Sequence, residues 1–146
     1  MRTARVQLSI SESLKTHPNR PSASMIQRLR RTTKSICAVW VPAEGRTQPI
    51  EVSIRLCSDD EIRVLNAQWR DKDRSTDVLS FPQFDPPVPV WAPALGDVVI
   101  SVDTAAAQAR EQGHSLSDEL VVLLTHGVLH LIGFDDQPEG ARLEMA

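Results

Sequence analysis

The chain has 146 residues, a length that suits one domain with a real hydrophobic core. Hydrophobic residues make up 41% and charged residues 24%, which is an ordinary balance for a globular protein. The formal net charge of −3 excludes a protein that coats nucleic acid by bulk charge, although it leaves room for a local basic patch.

Three further observations indicate where the protein works. The first residues, MRTARVQLSIS, carry arginines but no apolar run long enough for a signal peptide. No apolar run approaches the roughly 18 residues that a membrane span needs. Cys37 and Cys57 are isolated and lack the spacing of a metal or redox pair, so we interpret them as reduced thiols. We therefore expect a soluble cytoplasmic protein.

The first part of the chain predicts a strand, a loop and a helix. Apolar residues alternate over residues 4–10, which is typical of a strand, and residues 11–21 form a polar loop. From Ser22 to about Val39 the apolar spacing suits an amphipathic helix. A solvated face explains the basic residues of this helix, and an RNA-facing patch is the second interpretation. Those residues are Arg28, Arg30, Arg31 and Lys34.

A second strand, a second helix and a third strand follow. Alternation over residues 50–56 predicts the strand, and Ser58 or Asp59 can cap a helix that runs to about Trp69. The charged segment 70–75 then leads into an apolar run over residues 76–81, which Pro82 ends.

Residues 82–95 contain five prolines, a density that no helix or central strand tolerates. A loop of this length in a small domain is usually a binding loop, a lid or a disordered segment. Trp91 lies in its middle. We favour a hydrophobic peg that holds the loop down, and the alternative is a platform on which a base stacks.

The last part predicts a strand over 96–101 and a helix over 102–112 that Gly113 closes. Ser115 or Ser117 then caps a central helix, whose segment from residue 120 to residue 132 is apolar nearly all round and is therefore expected to be buried. A final helix is expected to begin near Pro138 and to be cut short at Ala146. The order of elements indicates a single α+β domain over residues 1–146, with a small mixed four-stranded sheet packed with helices.

The central helix carries a candidate metal site within residues 126–136, HGVLHLIGFDD. His126 and His130 are four residues apart, so their imidazoles lie on the same helical face. Gly133 stands where a helix would end and the chain would turn back, and Asp136 follows close enough to reach the two rings. Two nitrogens and one carboxylate leave a fourth position open for water, the arrangement of a catalytic zinc.

Alternatives to this site remain open. Histidine pairs at this spacing also arise by chance in helices that bind no metal. If the site does hold zinc, Gly127 occupies the position where HExxH metalloproteases place their general base, and glycine cannot move a proton. This counts against peptidase chemistry by that route and leaves the general base of any other reaction unnamed.

Taken together, four stretches resemble the YbeY family of bacterial endoribonucleases and rRNA maturation factors. They occur in the family's order and together span about half of the chain. They are residues 65–74 (LNAQWRDKDR), 76–82 (TDVLSFP), 95–100 (LGDVVI) and 126–136 (HGVLHLIGFDD).

The resemblance implies a zinc-binding α+β fold, with one Zn²⁺ per chain, and cleavage of single-stranded RNA. It also implies maturation of the 16S rRNA 3′ end and ribosome quality control, with precursor rRNA and the small ribosomal subunit as partners and no membrane. His126 and His130 would be zinc ligands, and Arg70 would be functionally important. We expect Arg70 to grip phosphate, because its planar fork suits phosphate oxygens. Lys72 and Arg74 could extend a basic RNA-binding rim, although the interleaved aspartates weaken that case.

One departure from the family concerns the third ligand. The family motif ends in Asp-His, whereas this chain has Asp135-Asp136. Zinc accepts carboxylate oxygen at about the same distance as imidazole nitrogen, so we predict a functional but altered site. The added negative charge should weaken zinc as a Lewis acid. Asp135 or a water could also take the place of Asp136.

Three hypotheses follow: a metal-dependent endoribonuclease, a ribosome-assembly factor with a mainly structural zinc, and a metal-dependent hydrolase of another substrate. Asp77 and Asp97 are expected to hold loops and helix ends in any of these.

Overall fold

The computed structural model describes residues 4–134, and these form the α+β domain that the sequence predicts. A single 3₁₀ turn at Glu12–Leu14 interrupts the first loop. The predicted helix near Pro138 lies outside the described residues. The elements are β1 Ala4–Ile10, α1 Ala23–Trp40, β2 Ile50–Cys57, α2 Asp59–Arg70, β3 Val78–Pro82, β4 Ala94–Ser101, α3 Val102–Gln112 and α4 Leu116–Ile132.

The sheet is mixed and four-stranded, with the strands in the order β1-β2-β4-β3. Strands β1, β2 and β4 run parallel, and β3 pairs antiparallel with β4 as an edge strand. Strands β2 and β4 are neighbours in the sheet but not in the sequence. After β2 the chain forms α2, returns to the sheet as the edge strand β3, and then enters β4 between β2 and β3. This confirms the predicted mixed sheet of four strands.

Each helix begins at a serine whose hydroxyl accepts the N–H three residues further on, which satisfies a backbone donor that the first turn leaves unpaired. The sequence left two of these caps open, and the structure selects Ser58 and Ser115. The four caps are Ser22 to Met25, Ser58 to Glu61, Ser101 to Thr104 and Ser115 to Asp118.

The helices divide between the two faces of the sheet. One face carries the main core under α1 and α4, and the other carries a smaller cluster under α2. Cys37 belongs to the first core and Cys57 to the second, and both are free thiols. Burial raises the pKa of Cys37 to about 11 and that of Cys57 to about 12, so both thiols are expected to be unreactive in the folded protein.

The proline-rich segment between β3 and β4 is held by an arginine from another loop. The buried guanidinium of Arg46 donates to the carbonyls of Val90 at 2.7 Å and Ala92 at 2.5 Å, with a longer bond of 3.4 Å to Pro89. Trp91 stands between two of these anchors but is itself 71% exposed. The favoured interpretation of Trp91 as a hydrophobic peg is therefore wrong, because the hydrogen bonds of Arg46 hold this loop and Trp91 is exposed.

Two of the four basic residues on α1 are engaged within the protein. Arg28 pairs with Asp118 at 2.7 Å, and Arg30 donates to the carbonyl of Val6 at 2.8 Å. These contacts leave only Arg31 and Lys34 as exposed members of the set. The helix therefore presents a weaker basic patch than its sequence suggests.

Within residues 4–134 no single helix is long and apolar enough to cross a membrane. Helices α3 and α4 reach that length only as a pair, and they are bent by 115° at their junction.

Candidate active site

The two histidines of the candidate metal site lie one turn apart on α4. His126 is exposed and His130 is half-buried. The expectation that both are buried is therefore wrong for His126. The apolar side chains of α4 pack on the sheet and on α1, and the histidines occupy a flank beside Gly127, turned away from the centre of that contact.

Gly127 brings this flank of α4 close to the sheet. A Cβ atom at this position would lie 2.6 Å from Cγ1 of Val98 and 3.3 Å from Oγ of Ser80, so only glycine permits the observed approach. Ser80 is buried in the edge strand β3, and its hydroxyl donates to the carbonyl of Gly127 at 3.0 Å. The histidine helix is thus bonded directly to the edge strand.

Arg70 reaches the same residue from the other face of the sheet. It ends α2, its Nη2 donates to the carbonyl of Ser80, and its guanidinium lies 5.3 Å from the ring centroid of Phe81. Ser80 therefore binds Arg70 through its backbone carbonyl and Gly127, the residue after His126, through its hydroxyl. The structure brings Arg70 and the histidine helix to one edge of the sheet.

The end of α2 is shaped so that Arg70 points to this edge. Asp71 adopts a left-handed conformation, with φ of 57°, which ends the helix. The buried side-chain amide of Asn66 donates to the carbonyl of Arg74 at 3.0 Å, and the backbone carbonyl of Asn66 accepts the N–H of Lys72. These bonds fix the segment that carries both predicted rim residues, Lys72 and Arg74, which are exposed.

The aspartates that alternate with these cations do not neutralise Arg70. The carboxylate of Asp73 instead pairs with Arg63 at 2.9 Å, and this exposed pair lowers the pKa of Asp73. Within residues 4–134 Arg70 bonds the edge strand rather than pairing with Asp71 or Asp73.

The far end of α4 is closed by Gly133. Its φ of +117° is a conformation that L side chains rarely adopt, and its N–H donates to the carbonyls of Leu129 and His130. A Cβ atom here would also lie 2.7 Å from Pro86 of the proline-rich segment. The predicted turn after His130 is therefore real and packs against that segment. The third predicted ligand, Asp136, lies outside the described residues.

The described part of the candidate metal site supplies two possible ligands and no complete ligand set. Within residues 4–134 no group of three or more His, Cys, Asp or Glu side chains could hold a metal. His126 and His130 offer two ring nitrogens from one helical flank, which suits zinc, and a third ligand would come from beyond residue 134.

The two remaining aspartates of the family stretches have structural roles. Asp77 accepts the N–H of Val78 at 2.7 Å and the amide of Gln108 at 3.3 Å, and burial raises its pKa. Burial also raises the pKa of Asp97, although a hydrogen bond from Ser53 opposes this shift. Asp77 therefore holds the start of β3, as expected, whereas the expectation is wrong for Asp97, which lies within β4 and not at a loop or helix end.

Sequence reasoning missed three residues that organise this region: Asn66, Ser80 and Arg46. Asn66 and Ser80 occupy inward positions of a helix and a strand, between apolar neighbours, and a polar residue at such a position requires a partner. That signal could have singled them out. Arg46 lies in a turn region, where nothing in the sequence marks it as buried.

The comparisons with known proteins address the same elements. A family model described as Endoribonuclease YbeY matches residues 16–146. The chain belongs to the YbeY family. This match covers all the residues that organise the candidate site.

Individual YbeY relatives agree with this assignment. The chain is 46% identical over 127 residues to Endoribonuclease YbeY of Anaeromyxobacter sp., covering 86% of this chain and 62% of the relative. It is 40% identical over 121 residues to the Thermus thermophilus protein of the same name, covering 82% and 83%. The chloroplastic Endoribonuclease YBEY of Arabidopsis thaliana is 50% identical over 93 residues, covering 64% of this chain and 16% of the relative. The chain thus spans less than two thirds of the first and third of these YbeY proteins.

A solved structure supports the fold. The solution structure of TM1509 from Thermotoga maritima superposes with a TM-score of 0.60 at 25% identity, covering 97% of this YbeY chain and 83% of TM1509.

Proposed function

We propose that this protein is a zinc-dependent endoribonuclease that cleaves single-stranded RNA, and that it acts in 16S rRNA 3′-end maturation and ribosome quality control. Its relatives carry the name endoribonuclease, and it belongs to their family. The observation that carries the proposal for this chain is the double hydrogen bonding of Ser80. Ser80 binds both Arg70, an arginine suited to phosphate, and α4, the helix that carries the two histidines.

Arg70 is the proposed phosphate-binding residue. A guanidinium has five N–H donors in a planar fork, so the bond to Ser80 leaves donors for phosphate oxygens. The same bond fixes the direction of the fork, since it ties the exposed side chain to a buried strand. Lys72 and Arg74 lie in the segment that follows and would add positive charge along the RNA backbone.

His126, His130 and Asp136 are the proposed zinc ligands. Bound in such a site, zinc acts as a Lewis acid and makes water available as a nucleophile near neutral pH. The chain's own contribution is the hydrogen bond from Ser80 to Gly127, which holds the helix that carries the imidazoles against the strand that binds Arg70. This shared strand supports the proposal that phosphate and metal bind at the same edge of the sheet.

RNA cleavage by purified protein tests this proposal. Arg70→Ala should lower cleavage of a single-stranded RNA by about two orders of magnitude while zinc content stays near one per chain, since charge-stabilising donors have effects of this size. His126→Ala should lose zinc and activity together. Arg5→Ala is the control, because Arg5 is an exposed arginine on β1, at the opposite edge of the sheet from Ser80. Its cleavage rate should equal that of the unmodified protein.

The other hypotheses predict different results. If the protein with zinc bound cleaves no RNA, and His126→Ala loses both metal and fold, the zinc is structural and the protein acts in ribosome assembly. If it hydrolyses another substrate but leaves RNA intact, the third hypothesis holds. The proposal also places the protein in the cytoplasm with precursor 16S rRNA and the small ribosomal subunit. Co-sedimentation with ribosomal subunits tests that part.

A further inference from the structure

The proline-rich segment presents an exposed aromatic side chain on a fixed backbone. Trp91 is 71% exposed, more than Trp69 at 62% and Trp40 at 50%. Arg46 binds the carbonyls on both sides of it, at Val90 and Ala92. A tryptophan this exposed is therefore held in place at both of its peptide neighbours, and its exposure does not arise from a loose loop.

The Trp91 ring keeps an open face. Phe84 contacts it with a centroid distance of 5.3 Å and an interplanar angle of 88°, which is an edge-to-face contact. Such a contact covers at most one face of the indole. The high exposure shows that the remaining aromatic surface is open to solvent.

This segment lies at the end of the molecule where α4 stops. Pro86 packs against Gly133, three residues beyond His130. Trp91 contacts Phe84, which precedes Pro86 by two residues, so the exposed ring belongs to the part of the segment that packs near the end of α4.

We propose that Trp91 stacks a base of the single-stranded RNA on which the proposed site acts. The inference rests on the proposed function. It follows from charge as well as from position: the chain has a net charge of −3, and two of the four arginines and lysines on α1 are engaged internally. Attraction to phosphate alone is weak in such a protein, so a single strand needs stacking on an aromatic face, and every base offers one.

The test compares three substitutions of Trp91. Trp91→Ala should weaken binding of a short single-stranded RNA by about tenfold, within the range known for base stacking. Trp91→Phe should retain most of the affinity because it keeps an aromatic face, whereas Trp91→Leu should lose it although it keeps apolar area. Val39→Ala is the control, since Val39 is also apolar and 71% exposed but lies on α1. The loss should appear in KM, with kcat nearly unchanged.

A double-mutant cycle locates the contact. Removing one base from the RNA, at the stacked position, should weaken its binding to unmodified protein by about tenfold. The same change should not weaken its binding to Trp91→Ala, because that protein has already lost the stacking contact. Additive losses at every position of the RNA would overturn the proposal. So would equal affinity of the Leu and Phe variants, since this would indicate a purely apolar contact.

Two further outcomes separate this inference from the function on which it rests. If unmodified protein cleaves RNA but Trp91→Ala binds it normally, Trp91 is not a stacking platform and the proposed function stands. If unmodified protein neither binds nor cleaves RNA, the proposed function itself fails. Concentration-dependent dimerisation that Trp91→Ala abolishes would assign the ring to a second copy of the chain and overturn stacking.

Discussion

Replacing Arg46 by Met tests the most unusual contact in the fold. The guanidinium is only 9% exposed, and its hydrogen-bond partners among residues 4–134 are backbone carbonyls. Methionine matches the aliphatic part of the side chain and removes every donor. We expect the proline-rich segment to lose its attachment while the sheet and helices remain.

The expected cost follows from the bonds that are lost. Two of them are short, at 2.7 and 2.5 Å, and bonds to a charged group contribute about 1.5–3 kcal/mol each, or roughly 3–6 kcal/mol together. The Nε atom of Arg46 is buried without a hydrogen-bond partner in the described structure. Such an atom costs about 1–3 kcal/mol, which methionine relieves. The central values, about 4.5 kcal/mol lost and about 2 kcal/mol relieved, give a net loss of unfolding free energy of about 2.5 kcal/mol.

Urea unfolding measures this loss. With a slope of roughly 2 kcal/mol per molar, the midpoint should fall by about 1–1.5 M. Chymotrypsin should also cut more rapidly after Trp91, because its neighbours Val90 and Ala92 are no longer held. Arg30→Met is the control: Arg30 is half-buried and makes one bond to a carbonyl of β1, so its midpoint should shift by less than half as much. An Arg46→Met protein with an unchanged midpoint and an unchanged cleavage rate would refute the reasoning.

Three other substitutions have defined outcomes. Asp136→His should bind zinc more tightly with equal or higher activity, measured by competition with a chelating dye; unchanged affinity would mean that Asp136 is not a ligand. Arg70→Lys should raise KM for RNA by about tenfold at constant zinc content, because an ammonium cannot bond Ser80 and also present a fork to phosphate. Glu61→Gln should destabilise the protein only where Glu61 is ionised. Hydrogen bonds from Arg55 lower the pKa of Glu61, so its stabilisation is present above the ordinary carboxyl pKa of 4.5 and is lost as pH falls through the lowered value. Urea midpoints of the two proteins should differ at about pH 7 and converge once the pH falls below the lowered pKa of Glu61, and a difference that persists when Glu61 is protonated would contradict this.

The elements of the fold could be predicted because their signals are local. Residues 50–56 alternate within one strand, and the serine caps lie three residues from the N–H groups that they accept. The order of the strands required more than this, since β2 and β4 are neighbours although β3 lies between them in the sequence.

For the candidate site, the sequence predicts which residues to consider but not how the fold arranges them. The spacing of His126 and His130 gives their shared helical flank, but exposure depends on which side of α4 the sheet covers, and the apolar composition of the helix suggested burial for both. The contact of Ser80 with Gly127 joins residues 47 apart, and that of Arg46 with Ala92 joins residues 46 apart. A local sequence pattern does not show which distant residues will be in contact. The sequence therefore could not predict that Arg70 binds the edge strand β3 or that Arg46 binds the proline-rich segment.

The glycine between the two histidines connects packing with chemistry. A glutamate at residue 127, as in HExxH metalloproteases, would place its Cβ 2.6 Å from Cγ1 of Val98, closer than real contacts allow. Helix α4 would have to move away from the sheet, and the 3.0 Å bond from Ser80 to the carbonyl of residue 127 would break. The same Ser80 holds Arg70, so the shared edge would be lost with it. A side chain able to transfer a proton at this position is therefore incompatible with the contact of α4 with Ser80, which counts against peptide hydrolysis by the HExxH route.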